Sequence, residues 1–242
     1  MKKILSVAVL IILAMSVSLM AQPRWGNANA QRGAGLYNAI SSLPVQDLND
    51  AEKAGLLKMR QEEKLARDVY LKLYEKWGLQ VFANIANSEQ RHMDAVKMLL
   101  EKYGISDPVV DDSVGAFSDT EFTNLYNELV ATGEASEVAA LKVGAEIEDL
   151  DIADLENLIN SSDNDDIKFV YDRLMNGSYH HIKAFSAMLQ NYGETYTPKY
   201  ISEDKYNEIL SSSTQMQRGY GRRGRGAGMG LRDGSCLYNT NQ

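Results

Sequence analysis

Apolar residues recur at helical spacing along most of this chain, and the places where the recurrence stops divide it into elements. From Asn49 a stripe runs Leu56, Met59, Glu63, Ala66, Tyr70, Leu73 and Trp77, with Gly78 as a natural C′ residue. Asn49-x-x-Glu52 ahead of it has the form of a capping box. A second helix is predicted from about Gln80 to Tyr103, with Phe82, Ile85, Glu89, His92, Val96, Leu99 and Tyr103 on one face and Gly104 at its end. Residues 105–118, which contain Asp107-Pro108 and Gly115, read as a long connection. A short helix over about Asp119 to Ala131 then turns Phe122, Leu125 and Leu129 inward. A third long helix after Thr132-Gly133 carries Val138, Leu141, Ala145, Glu148, Ile152, Leu155 and Ile159. A fourth, from about Asp166 to Tyr192, carries Val170, Leu174, Ser178, His181, Phe185, Leu189 and Tyr192, and stops at Gly193. A short segment over 202–210 follows. No stretch alternates as a strand would, so the pattern predicts an all-α fold. The tight joins within each pair of long helices, and the long path between the pairs, predict a four-helix bundle with one long crossover that carries a short extra helix.

The flanks lack this period. Residues 1–21 pair Lys2-Lys3 with an apolar run from Ile4 to Ala21, the form of a signal peptide. The run is nearly long enough to span a bilayer, so an uncleaved N-terminal anchor is the alternative. Either way the expected location is outside the cytoplasm, periplasmic or extracellular. Residues 22–46 read as a flexible linker, 47–212 as the bundle, and 213–242, rich in Gly and Arg, as a disordered tail. Cys236 is the sole cysteine, so no internal disulfide supports the fold.

Charge sharpens this division. The net −8 conceals a body, residues 45–215, with 16 Lys and Arg against 32 Asp and Glu, and a tail from 216 onward with five Arg against one Asp. An acidic body excludes nucleic acid as a partner of the bundle, whereas the tail suits an anionic surface.

All four long stripes contain residues that an apolar face should not carry. Glu89 and His92, three apart on a helix, share the inward face. Burying such groups without a partner or a metal costs several kcal/mol. The second and fourth helices also repeat at a fixed offset of 89: His92-Met-Asp-Ala-Val-Lys-Met-Leu-Leu-Glu-Lys-Tyr-Gly104 aligns without a gap to His181-Ile-Lys-Ala-Phe-Ser-Ala-Met-Leu-Gln-Asn-Tyr-Gly193. The first and third helices pair at an offset of 85, placing Glu63 opposite Glu148. The chain thus reads as two similar hairpins, each offering an inward Glu and an inward His.

One Glu from each of two helices plus Glu-x-x-His from each of two others is how carboxylate bundles hold two iron or manganese ions. Hard carboxylates neutralise and bridge the cations, and each imidazole adds a borderline donor. Here Ser178 stands where the fourth Glu would be, and Asp151, three residues after Glu148, borders the inward stripe and can replace the lost charge. The expected metal site is Glu63, Glu89, His92, Glu148, Asp151 and His181. Glu62 and Glu146 fall off the stripes and are expected to be solvated. His180 is turned about 100° from His181. Tyr70 and Tyr74 read as core packing, and Arg67 and Asp68 as groups that could orient ligands.

These segments also carry a resemblance. Glu62-Glu63-Lys-Leu-Ala-Arg-Asp-Val-Tyr70, Ser88-Glu-Gln-Arg-His-Met-Asp-Ala-Val96, Val143-Gly-Ala-Glu-Ile-Glu-Asp-Leu-Asp-Ile152 and Ser178-Tyr-His-His-Ile-Lys-Ala-Phe185 resemble the ferritin-like bacterial and archaeal family labelled domain of unknown function 2202. The resemblance spans about residues 50–210 and implies a rubrerythrin-like fold with a di-metal centre, but no activity. Three functions stay open on these grounds: redox chemistry on oxygen or peroxide, metal binding or storage without turnover, and a metal-free helical interaction module, any of them in a homo-oligomer. The first is ranked ahead because both histidines are present.

Overall fold

The structure is a computed structural model, and it describes residues 35–212. The signal segment, the start of the linker, and the tail with Cys236 lie outside the described residues. Those described are helical or irregular, with no strand among them, so the all-α expectation holds. In chain order the helices are α1 over residues 35–42, α2 Asp50–Trp77, α3 Gln80–Lys102, α4 Thr120–Gly133, α5 Glu137–Ser161, α6 Asp165–Asn191 and α7 Glu203–Ser211. No described helix is long and apolar enough to cross a membrane.

Local chemistry explains the boundaries. The capping box forms at α2: the Asn49 side chain accepts from Glu52 N at 2.9 Å, and Glu52 Oε2 accepts from Asn49 N at 3.1 Å. Gly78 takes φ 67°, a left-handed turn that an L side chain resists, and only Leu79 separates it from α3. The two repeated helices end alike. Tyr103 and Tyr192 share φ −92°, and the amides two residues on, Ile105 and Glu194, donate back to Leu100 and Leu189 at 2.8 and 3.0 Å. Gly104 and Gly193 supply the positive φ that this Schellman closure requires.

The α2–α3 and α5–α6 pairs pack most extensively, with α2 against α5 and α3 against α6 between them. α4 lies on α2 and α5. The core has two apolar clusters. One gathers Tyr70, Phe82, Ile85, Leu141 and Phe185; the other gathers Leu56, Met59, Leu99, Leu155, Val170 and Leu174. On each of the four long helices, residues of one cluster precede and residues of the other follow the inward Glu or His. A polar layer therefore splits the core across its middle.

Two expectations need correction. The linker is not featureless, because residues 35–42 are helical and Ile40 is buried at 2 % exposure. Lys102 fixes it there, donating to the carbonyls of Ile40 and Leu43 at 3.0 and 2.9 Å while pairing with Asp166 at 2.6 Å. Tyr192, placed on the inward face, is exposed and donates to Glu137 at 2.5 Å, since the helix ends where its stripe would continue.

Candidate metal centre

The polar layer brings one group from each long helix to one place, two from α3. His92 Nδ1 lies 3.2 Å from Glu63 Oε2 and 2.7 Å from Glu89 Oε2. His181 Nδ1 lies 2.8 Å from Glu89 Oε1 and 3.3 Å from Glu148 Oε2. Glu89 is thus shared by two triads, Glu63–Glu89–His92 and Glu89–Glu148–His181, in each of which one donor atom per residue lies within 4.8 Å of the others. The imidazole centroids are 5.6 Å apart.

All three carboxylates are 2 % exposed, yet their oxygens are not all satisfied. Glu63 Oε1 has no hydrogen-bond partner, and Glu89 Oε1, although close to His181, is out of hydrogen-bond alignment with it. A buried carboxylate oxygen without a donor costs about 1–3 kcal/mol. A cation would remove that cost, and two carboxylate–imidazole triads with a common carboxylate are a donor set that fits two divalent ions.

The charges settle by competition. Burial pushes the Glu63 carboxyl well up, against the pull of His92, and pushes Glu148 up against His181. Burial acts the same way on Glu89, but there the two imidazoles prevail and hold the carboxyl well below its usual range. Burial disfavours both imidazolium ions, yet the carboxylates outweigh it: His92 is raised well above its ordinary value and His181 is pushed up to about 10. Protons therefore do in the metal-free protein what cations could do in a loaded one.

Comparison with known proteins gives the chain a family. The uncharacterized protein domain DUF2202 matches residues 52–213. The chain belongs to the DUF2202 family. A relative in Methanocaldococcus jannaschii, the uncharacterized protein MJ0754, is 65% identical over 176 residues, which cover 73% of this chain and 95% of that one. The crystal structure of the hypothetical protein MJ0754 resembles this fold with a TM-score of 0.71, covering 72% of this chain and 99% of that chain.

Within the DUF2202 domain, Asp151 sits where the substitution at 178 suggested, though not in either triad: its carboxylate accepts a short hydrogen bond from the Ser178 hydroxyl. It is half-buried. Burial and the charge of Glu148 raise its carboxyl well above the ordinary value. His180 is exposed and outside the layer.

Tyr70 does more than pack. Its hydroxyl donates to Glu148 Oε1 at 2.6 Å and lies 3.3 Å from the Gly144 carbonyl. Burial and Glu148 push its phenol well up, so it stays a donor. Its position two turns from Glu63 on the same face was the available signal. Gly177 also escaped sequence reasoning. A Cβ there would come 2.5 Å from His92 Cε1 and Nε2, so this glycine makes room for the ring.

Arg67 and Asp68 do not orient the ligands. Asp68 pairs with Lys64 and accepts from Gly115 N at 2.9 Å, while Arg67 reaches the Asp112 carbonyl at 3.1 Å and Gln90 at 2.6 Å. They bind the long connection to α2. Glu62 and Glu146 are not free in solvent either. With Glu63, Glu89, Glu148 and Asp151 they line a cleft covered by α4, which closes over a face that the stripes leave open.

Proposed function

We propose that the DUF2202 domain is a ferritin-like four-helix bundle that binds two divalent metal ions, iron or manganese, in the polar layer, and that it works outside the cytoplasm. The observation that carries this reading is Glu89, whose two oxygens each approach a different imidazole, 2.7 Å to His92 and 2.8 Å to His181. Glu63 and His92 would hold one ion and Glu148 and His181 the other, with Glu89 common to both. Asp151 would supply the fourth negative charge. Four carboxylates against two divalent ions leave the buried layer neutral, whereas three leave a net positive charge in a low-dielectric interior. The N-terminal charge and hydropathy pattern supports export.

Bound iron or manganese would supply one-electron redox chemistry and open coordination positions for oxygen or peroxide. The protein's own part is to seat the site between two apolar clusters, to hold Glu148 through the Tyr70 hydroxyl, and to keep each imidazole turned with Nδ1 toward the carboxylates.

Metal content measured by mass spectrometry after anaerobic reconstitution with Fe²⁺ or Mn²⁺ tests the binding, with two ions per chain expected. Glu89→Ala should lose both ions, while Glu63→Ala should lose one more readily than the other. Absence of bound metal at every ratio would sink the proposal. Oxygen or peroxide consumed over many cycles supports redox catalysis, and a single stoichiometric oxidation supports metal binding without turnover.

A further inference from the structure

Two openings approach the polar layer. The cleft under α4 reaches Glu63, Glu89 and Glu148 at its closed end and continues outward along Asp151, Glu62 and Glu146. Exposure rises along this series, from 2 % at the three inner residues to side-chain values of 13 % at Glu62 and 26 % at Glu146. Leu125 and Leu129 of α4 form a facing wall. The other opening, on the α3–α6 side, reaches only His92, and its lining carries Arg91 and Arg173 along with one carboxylate, Asp94. Six carboxylates line the first, whereas two guanidinium groups outnumber one carboxylate at the second, so a cation is favoured at the first.

Two further features define what the cleft takes. Glu63 and Glu89 line its closed end, are 2 % exposed, and each keep one oxygen without a hydrogen-bond partner. About 70 Å³ of the cleft is open to water-sized molecules. That is room for a few waters or an ion with part of its hydration shell, well short of the roughly 300–1,000 Å³ of organic-ligand sites. At the lip, Lys58 and Lys199 pair with Glu62 and Glu146 at 3.0 and 2.6 Å, and Glu62 Oε2 stays unpartnered.

We propose that this cleft is the path by which a small divalent cation enters the polar layer, with Glu62 and Glu146 as the charged lip and the α4 leucines as the outer wall. The proposal rests on the metal-binding reading above, and it assigns a function to two carboxylates that are not ligands. The carboxylate ladder exchanges hydration water for protein oxygens step by step, so the ion is never stripped at once.

The test uses the full chain freed of metal and mixed rapidly with Co²⁺, following the visible absorption of the bound ion and measuring final stoichiometry by mass spectrometry. Glu62→Gln/Glu146→Gln should slow loading about tenfold at low ionic strength, with the gap closing as salt screens the lip. Leu129→Trp, which narrows the cleft, should slow loading at every salt concentration. Asp94→Asn, on the opposite opening, should load at the parental rate, and all chains should reach the same end point. Parental rates in both cleft variants, with two ions still bound, would overturn the entry path and leave the metal site standing. Slowing confined to Asp94→Asn would overturn it too. A parent chain that binds no Co²⁺ removes the metal reading and this proposal together. Should Leu129→Trp fail to fold, the double carboxamide variant decides.

Discussion

At the scale of single residues, the polar layer is a set of groups whose protonation is set by their neighbours. An imidazole in the unfolded chain titrates near 6.5. His181 in the folded protein is pushed up to about 10, burial opposing the shift and Glu89 and Glu148 causing it. The sign follows from linkage: the protonated ring contributes stability that is complete below about 6.5 and lost as the pH rises toward 10. The metal-free protein should therefore melt at lower temperature at about pH 9.5 than at about pH 6.5, and His181→Gln should shrink that difference in a calorimetric series. On the proposed metal reading, affinity should rise over the same interval, because a cation would bind the deprotonated ring. Tyr70→Phe keeps the packing among Phe82 and Phe185 but strips Glu148 of a buried donor. A loss of about 1–3 kcal/mol in denaturant unfolding is expected. Gly177→Ala improves helix propensity by up to about 1 kcal/mol, yet its Cβ would strike the His92 ring. On the proposed two-ion reading, it should weaken one equivalent in a metal titration while leaving helical content intact.

At the scale of elements, the long connection and α4 depend on buried charge more than on apolar area. Gly133 is the one fully buried residue of α4; Phe122, Leu125 and Leu129 are half-covered. What holds the preceding connection is Asp68, at 0 % exposure, which meets Lys64, Arg67 and the Gly115 amide. Asp68→Asn leaves two buried cations short of their counter-charge and should cost about 3–5 kcal/mol by chemical denaturation, with hydrogen exchange accelerating first in α4. The helices themselves were legible in sequence because their caps are local: Asn49 and Glu52, Gly78, and the paired Tyr-Gly endings act within one turn. The Asp68 network was not legible, because Lys64, Asp68 and Gly115 are brought together only once the connection has folded back. The same holds for Glu62 and Glu146, whose positions off the stripes pointed to solvent until α4 covered them.

Across the molecule, two hairpins with the same inward chemistry enclose one polar layer. Helical structure is also present ahead of residue 47, over residues 35–42. A chain starting at residue 47 would expose the pocket filled by Ile40 and deprive Lys102 of two carbonyl acceptors. It should be less stable to denaturant than one starting at residue 35, by about 1.5–3 kcal/mol for the isoleucine alone.

The sequence by itself determined the helical period, the helix ends, and the repeats at offsets of 89 and 85, and through them the identities of Glu63, Glu89, His92, Glu148 and His181. All of these follow from spacing along a helix, which is a local property. Tertiary structure decided which oxygen of Glu89 faces which imidazole, that Asp151 meets Ser178 instead of a triad, and that Tyr70 holds Glu148. It also decided that a cleft under α4 is lined by Glu63, Glu89 and Glu148. Those features depend on distances between helices far apart in sequence, where a periodicity gives the face of a side chain but not the neighbour it meets.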